Sequence, residues 1–396
     1  MNNGPSTILV VDDNENNRDM LARRLQRQGY YVVTAEDGLK ALHFLHGNTC
    51  DLVLLDVMMP ELNGYQVLEQ IKATQSLRYI PVIMISALDD LDSVVRCIEL
   101  GAEDYLFKPF NPTLLRARVS ACLEKKRLHD QEQDYLRAIK QDLELGRRTQ
   151  SDFLPAELPR IPGWNLEVAF TPAREVAGDF YDVFPLPHNH HAFVVADICD
   201  KGVGAALFMV LTRSLIRAFA EQVGPTTLDA LKAVLLANDY IARHHHRNLL
   251  RMYATLFFGV LNPATSTLTY INAGHPAPIL MGAHGVRSTL EATGPAVGMM
   301  PGSNFIIEQA YIAPGEILLA YTDGITEARN RAGQLFGEDR LIALLNEPYY
   351  TIQPALSQIE SAVHMHTGDV PQADDITILA LQRIVGEGEG GDDGRG

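Results

Sequence analysis

The sequence is short of several things, and each shortage excludes a class of protein. It holds four cysteines in 396 residues, at positions 50, 97, 122 and 199. They form no CxxC pair and no metal-ligand spacing, so neither a disulfide framework nor a zinc site is encoded. They read as buried thiols in a reducing, cytoplasmic compartment. Basic residues are outnumbered, 33 Lys+Arg against 49 Asp+Glu, for a net charge of −16. Phosphate backbones demand basic patches, so no direct nucleic-acid partner is expected. No apolar run approaches the ~20 residues of a membrane span, so no membrane insertion is expected. The first apolar run, Ile8 to Val11, is short and meets two Asp, unlike a signal peptide. There is no internal repeat and no GxSxG motif. Trp164, the one tryptophan, follows Pro162-Gly163 and reads as a domain-entry anchor.

What is present divides in two. The stretch Thr113 to Leu145 contains no Gly and no Pro and is rich in helix formers. As one helix bounded by Pro112 and Gly146 it reaches about 50 Å at 1.5 Å per residue. Leu114, Leu115, Val119, Cys122 and Leu123 suit packing on a first domain. Glu124 to Asp134 is nearly all polar. Leu136, Ile139 and Leu143 then recur at i, i+3, i+7, as an interface stripe does. The reading is a receiving domain at 6–123, a helical linker at 113–153 that is either a dimerising, signal-carrying helix or a plain solvated spacer, a second domain at 154–385, and a disordered acidic tail at 386–396.

In the first domain five strand patterns alternate with helix patterns, which implies a doubly wound five-stranded parallel sheet, α/β in class. The binding crevice of such a sheet lies at the C-terminal strand ends. Asp12, Asp13, Asp56, Ser86 and Lys108 all fall there. Converging carboxylates are costly without a cation, and Mg²⁺ takes hard oxygen ligands. Asp56 can be a nucleophile toward phosphoryl donors, with Lys108 holding the phosphoryl group. VVDDNENN, LLDVMMPELNGYQVL, MISAL and YLFKPF resemble a response-regulator receiver domain of flavodoxin-like fold. The resemblance implies Asp56 as phosphoacceptor and Mg²⁺ held by Asp13, Asp56, the Met58 carbonyl and, through water, Asp12. It implies Ser86 and Tyr105 as a switch pair, Lys108 as the phosphate contact, and a sensor histidine kinase as partner.

After Pro155 strand patterns follow one another, with helical stretches at Val203–Ala220 and Thr227–His244. That order implies an α+β sandwich of antiparallel sheets flanked by helices. Carboxylates stand at Asp179, Asp197, Asp323 and Asp374-Asp375, each at a strand end or beside Gly. Without His or Cys among them they favour Mg²⁺ or Mn²⁺ over zinc. Two such ions can polarise a phosphate and activate a water, giving phosphomonoester hydrolysis with no covalent intermediate. ELGRRTQSDFLP, REVAGDFYDV, VADICDKGVGAALFM, INAGHPAPIL, YTDGITEARN and ADDITIL resemble the SpoIIE/RsbU type of PPM serine/threonine phosphatase. The resemblance implies Asp197 bridging two metals, Asp323 and Asp374 on the first, the Ile198 carbonyl on the second and Asp179 nearby. It leaves open whether Asp374 or Asp375 is the direct ligand. Asp200 stands where relatives carry Gly, and Lys201 matches a common variant.

The histidines at 188, 190 and 191 and at 244 to 246 read as surface residues. Asp182 and Glu175 can approach a metal through water, and Arg174 can hold a substrate phosphate; solvated roles are equal alternatives. The combined expectation is a response regulator whose output dephosphorylates a protein, by resemblance a phosphorylated STAS-type anti-sigma-factor antagonist. The rival is a non-catalytic adaptor that binds a sigma factor or other regulator through a degenerate phosphatase fold.

Overall fold

The computed structural model describes residues 4–87, 91–109, 111–222, 224, 226–244, 252–349 and 351–385. The tail expectation and the histidines at 245 and 246 lie outside these residues. The chain divides into two compact units, Met1–Ile139 and Lys140–Gly396.

The first unit alternates β1 (Thr7–Val11), α1 (Glu15–Gln26), β2 (Tyr31–Ala35), α2 (Gly38–Gly47), β3 (Leu52–Asp56), α3 (Gly64–Ala73), β4 (Val82–Ser86), α4 (Leu91–Glu99) and β5 (Asp104–Phe107). The strands are parallel in the order β2-β1-β3-β4-β5. β3 and β4 are buried along their whole length, as strands covered on both faces must be. Ala41, Leu45, Val67, Ile71 and Cys97 pack on one face. Leu21, Leu25, Leu115, Val119 and Cys122 pack on the other. Gly64 is required where it stands: a Cβ there would lie 2.2 Å from the Asp56 carbonyl oxygen.

α5 runs from Pro112 to Ser151, 40 residues, longer than the expected 113–145. Exposed pairs such as Glu124–Arg127, Asp134–Arg137 and Glu144–Arg147 line its polar stretch at the i, i+3 spacing that suits a solvated helix. Gly146 does not end it. The last turn is held from outside the helix, because the Gln150 amide donates to the Ala177 carbonyl and accepts from the Ala177 amide, at 2.7 and 2.9 Å. Tertiary anchoring outweighs the ~1 kcal/mol helix penalty of one glycine.

The second unit contains β6 (Trp164–Thr171), β7 (Phe180–Leu186), β8 (His190–Ile198), α6 (Val203–Gln222), α7 (Thr227–His244), β9 (Ala254–Asn262), β10 (Thr267–Ala273), β11 (Ile279–Gly282), β12 (Gly285–Thr289), β13 (Glu308–Tyr311), β14 (Ile317–Tyr321), α8 (Glu338–Leu345), α9 (Ile352–Thr367) and β15 (Ile376–Arg383). One antiparallel sheet has the order β13-β10-β9-β8-β7 and the other β12-β11-β14-β15-β6. Trp164, Val183, Phe193, Val195, Leu318, Ala320, Leu379 and Leu381 fill the space between them. The alternate residues face outward. Phe180, Phe184 and Val194 meet α6 and α7, whereas Leu319, Tyr321 and Ile378 meet α8 and α9. The result is a helix–sheet–sheet–helix sandwich.

Two helices, α8 and α9, were not expected. α8 has 8 residues, and α9 carries Pro354, which reads as a breaker but sits in the first turn, where its missing N–H costs little. β13 consists of only the four residues that pair with β10. α6 is long and apolar enough by length and composition to cross a membrane, against expectation; Ala205, Phe208, Met209, Ile216 and Ala220 on its buried face belong to the core. Cys50, Cys97 and Cys122 are buried and Cys199 half-buried.

Candidate active site and receiver site

The parallel sheet brings its acidic residues together. Asp12, Asp13 and Asp56 have carboxylate oxygens within 4.8 Å of one another, the one such group among the described residues. Lys108 Nζ lies 2.8 Å from both Asp12 Oδ2 and Asp56 Oδ2. Asp12 also accepts from the Asn14 amide at 2.9 Å. Burial raises the Asp56 pKa against the opposing pull of Lys108, and Asp12 adds repulsion. Burial also works to lower Lys108, but hydrogen bonds to the two Asp outweigh it and leave it raised. One ammonium does not neutralise three carboxylates, and a hard divalent ion fits the remainder. Asp56 accepts a backbone hydrogen bond from Met58. Ser86 is fully buried at the end of β4, and Tyr105 is buried in β5 with its ring 4.9 Å from Phe107.

In the second unit the sandwich interior turns polar at one end. Asp197 stands on β8 in the inward register of Phe193 and Val195, paired across the ladder with Thr255. Asp179 opens β7, fully buried. Its Oδ2 accepts from the hydroxyls of Thr322 and Thr377, each at 2.7 Å. Asp179 and Asp197 are near enough to act on each other's charge. Burial, then repulsion from Asp197, holds Asp179 well above the usual carboxylate range. Burial and Asp323 likewise raise Asp197. Asp323 follows β14 and is pushed up to about 6 by burial, then by Glu327 and Asp374. The Ile198 carbonyl lies beside Gly178, 3.4 Å from where a Cβ would stand.

Asp374 and Asp375 do different things. The Asp375 carboxylate accepts from the amides of Ala173 and Gly178, each at 2.7 Å. It holds the loop that carries Asp179 and is committed to backbone. Asp374 is on the accessible side, 2.6 Å from Lys201, and its charge acts on Asp197 and Asp323.

Asp182 is not part of this group. It shares the register of Phe180 and Phe184, which face α6, and there it pairs with Arg213 at 2.7 Å and Arg217 at 3.2 Å. Alternation along a strand places residues 179 and 182 on opposite faces. Glu175 and Arg174 are exposed in the loop. His188 is exposed as expected, but His191 is buried, because it takes the inward register of β8. Sequence reasoning missed His275. It is buried, its Nδ1 lies 3.0 Å from Thr255 Oγ1, and burial lowers its pKa to about 3. It also missed Thr322 and Thr377. Both precede or follow an acidic motif residue on an inward strand position, which is the signal that could have found them.

The donor set of Asp179, Asp197, Asp323 and Asp374 is all carboxylate oxygen. Burial and repulsion disfavour the ionised forms of Asp179, Asp197 and Asp323, and a divalent cation would remove that penalty. Their oxygen donors suit Mg²⁺ or Mn²⁺ rather than zinc, but among the described residues no three of them come within the 4.8 Å that the receiver carboxylates show.

Two family models match the chain. One, described as Stage II sporulation protein E (SpoIIE), covers residues 187–384, half of the length. The other, Response regulator receiver domain, covers residues 8–120. Fold and motifs define a receiver domain followed by a SpoIIE-type domain. The chain belongs to the SpoIIE family. Protein IcfG of Synechocystis sp. is 41% identical over 264 residues, 61% of this chain and 41% of that protein. The alkaline phosphatase synthesis transcriptional regulatory protein PhoP of Bacillus subtilis is 43% identical over 121 residues, 31% of this chain and 50% of that protein. The chain thus spans half or less of the length of these curated relatives. The SiaA-PP2C domain of Pseudomonas aeruginosa shares the fold, with a TM-score of 0.53 at 23% identity over 63% of this chain and 98% of that domain.

Proposed function

We propose that the chain is a metal-dependent protein serine/threonine phosphatase controlled by phosphorylation of Asp56. The observation that carries this reading is the convergence of Asp179, Asp197, Asp323 and Asp374 at one end of the sandwich. An adaptor has no need of buried carboxylates whose repulsion raises Asp197 and Asp323.

Asp197, Asp323, Asp374 and the Ile198 carbonyl would hold two divalent cations, with Asp197 shared between them. Two divalent cations, when bound, supply the Lewis acidity that polarises a phosphomonoester and the activation of an attacking water. Asp179, held by two threonine hydroxyls, fixes the orientation of Asp197. Asp375 positions the 173–179 loop and is not a direct ligand.

In the receiver, Asp13, Asp56, the Met58 carbonyl and, through water, Asp12 would hold Mg²⁺, Asp56 would take a phosphoryl group from a sensor histidine kinase, and Lys108, Ser86 and Tyr105 would respond to it. α5 carries the response. Its Gln150 pairs with Ala177 two residues before Asp179, and its exposed Leu136 and Ile139 suit a homodimer. The substrate is a phosphorylated STAS-type anti-sigma-factor antagonist.

Hydrolysis of p-nitrophenyl phosphate with Mn²⁺ tests the enzyme reading. Asp197→Ala and Asp323→Ala are expected to lower the rate at least about 100-fold, the scale for losing one electrostatic stabiliser of the transition state. Equal turnover by wild type and both variants would favour the adaptor. Acetyl phosphate should change the rate of wild type and not of Asp56→Ala. Identical rates with and without it in wild type would remove the coupling.

A further inference from the structure

Lys201 lies in the loop between Asp197 and α6, and its side chain reaches across to the loop before β15. The ammonium donates to the Ala373 carbonyl at 2.7 Å and pairs with Asp374 Oδ2 at 2.6 Å. The lysine side chain is 38% exposed and that of Asp374 26%, so the pair stands at the mouth of the acidic end. The same charge opposes the rise in the Asp323 pKa. The backbone that presents it is unusual. Asp200 has φ +95° and Gly202 φ +85°, and the Lys201 amide donates to Asp200 Oδ1 at 2.8 Å. A non-glycine residue at positive φ is strained and persists where surroundings demand it.

We propose that Lys201 is an internal counter-cation that competes with a divalent ion for Asp374, so that metal binding and release of the 199–202 loop are one event. The inference rests on reading the carboxylates as a metal centre. An oxygen that holds an ammonium at 2.6 Å cannot also hold a hard cation without bringing two positive charges together. A divalent ion that takes Asp374 therefore displaces Lys201, whose long side chain returns to solvent at little cost. The loop runs directly into α6 at Val203, so its release reaches a core helix. Lys201 thereby sets the metal concentration at which the centre fills.

Calorimetric titration with Mn²⁺ tests this, using the full chain carrying Asp12→Asn and Asp13→Asn so that the receiver does not contribute. In that background Lys201→Gln is expected to bind Mn²⁺ about 1.5- to fivefold more tightly than the unmodified lysine, the range of a partly exposed ion pair. Lys201→Arg should bind as the lysine does. The gap should shrink at about 1 M salt, where the Debye length is roughly 3 Å; a merely structural loop effect would not. Lys201→Met gives the same comparison if the Gln variant folds poorly, with melting in EDTA as the check. Unchanged or weaker Mn²⁺ binding by Lys201→Gln and Lys201→Met overturns the competition while leaving the metal centre standing. No Mn²⁺ binding by the lysine form overturns the metal centre and the competition with it.

Discussion

A Cβ placed on Gly324 would lie 1.9 Å from the carbonyl oxygen of Asp375. The loop after Asp323 and the loop bearing Asp374 and Asp375 therefore meet backbone to backbone, an approach that only glycine permits. Gly324→Ala is expected to force the two loops apart. The cost should be about 1–3 kcal/mol, as for other overpacked sites, with weaker Mn²⁺ binding. Thermal melts with and without Mn²⁺ measure both. A variant that melts and binds like wild type contradicts the contact.

The neighbouring acids should separate in their effects. Asp375→Ala leaves the amides of Ala173 and Gly178 without an acceptor and should cost about 1–3 kcal/mol, the penalty for a stranded buried donor. Asp374→Asn, at a more accessible carboxylate, should change stability in EDTA by less than about 0.5 kcal/mol but weaken Mn²⁺ binding. Denaturant unfolding in EDTA, paired with a Mn²⁺ titration, distinguishes them. The reverse pattern would make Asp375 the ligand.

His275 should make the second unit acid-sensitive. Its folded pKa is lowered from 6.5 to about 3, so between those values the unfolded chain binds more protons than the folded one. Stability is then present above the unfolded pKa and is lost as pH falls through this window, at up to about 1.4 kcal/mol per pH unit. His275→Gln should flatten that limb. The difference between wild type and variant, measured from pH 7 to 4, isolates His275 from the carboxylates, whose raised pKa values act in the opposite sense. An unchanged slope contradicts the assignment.

Much of the site was legible because strand ends announce themselves. Asp12, Asp56, Ser86 and Lys108 each close an apolar run, and a parallel sheet gathers such ends at one edge. Asp197 and Asp323 were legible for the same reason in the second unit. Asp182 was not, because its face depends on a ladder register that only pairing with β8 reveals. Asp374 and Asp375 could not be separated either. Their roles are decided by the amides of Ala173 and Gly178, roughly 200 residues away in the chain. The end of α5 was misjudged because Gln150–Ala177 pairing, a tertiary contact, carries the helix through Gly146. α9 was hidden by a proline in its first turn.

Asp200 is the one departure from the family motif whose backbone effect is visible. It adopts the φ +95° that glycine takes without penalty. Asp200→Gly is therefore expected to stabilise the loop by about 0.5–1 kcal/mol and to leave the hydrolysis rate within about twofold of wild type, a barrier change of less than about 0.5 kcal/mol. Denaturant unfolding reads the first and p-nitrophenyl phosphate turnover the second. A destabilised Asp200→Gly would mean that the Asp200 carboxylate contributes more than its backbone costs.

The most direct measurement is release of phosphate from a phosphoserine protein substrate by the full chain in Mn²⁺, compared with EDTA and with Asp197→Asn. Turnover that requires Mn²⁺ and disappears in Asp197→Asn is the expected result. Turnover indifferent to both, or none in the wild-type chain, contradicts a metal centre built from Asp179, Asp197, Asp323 and Asp374.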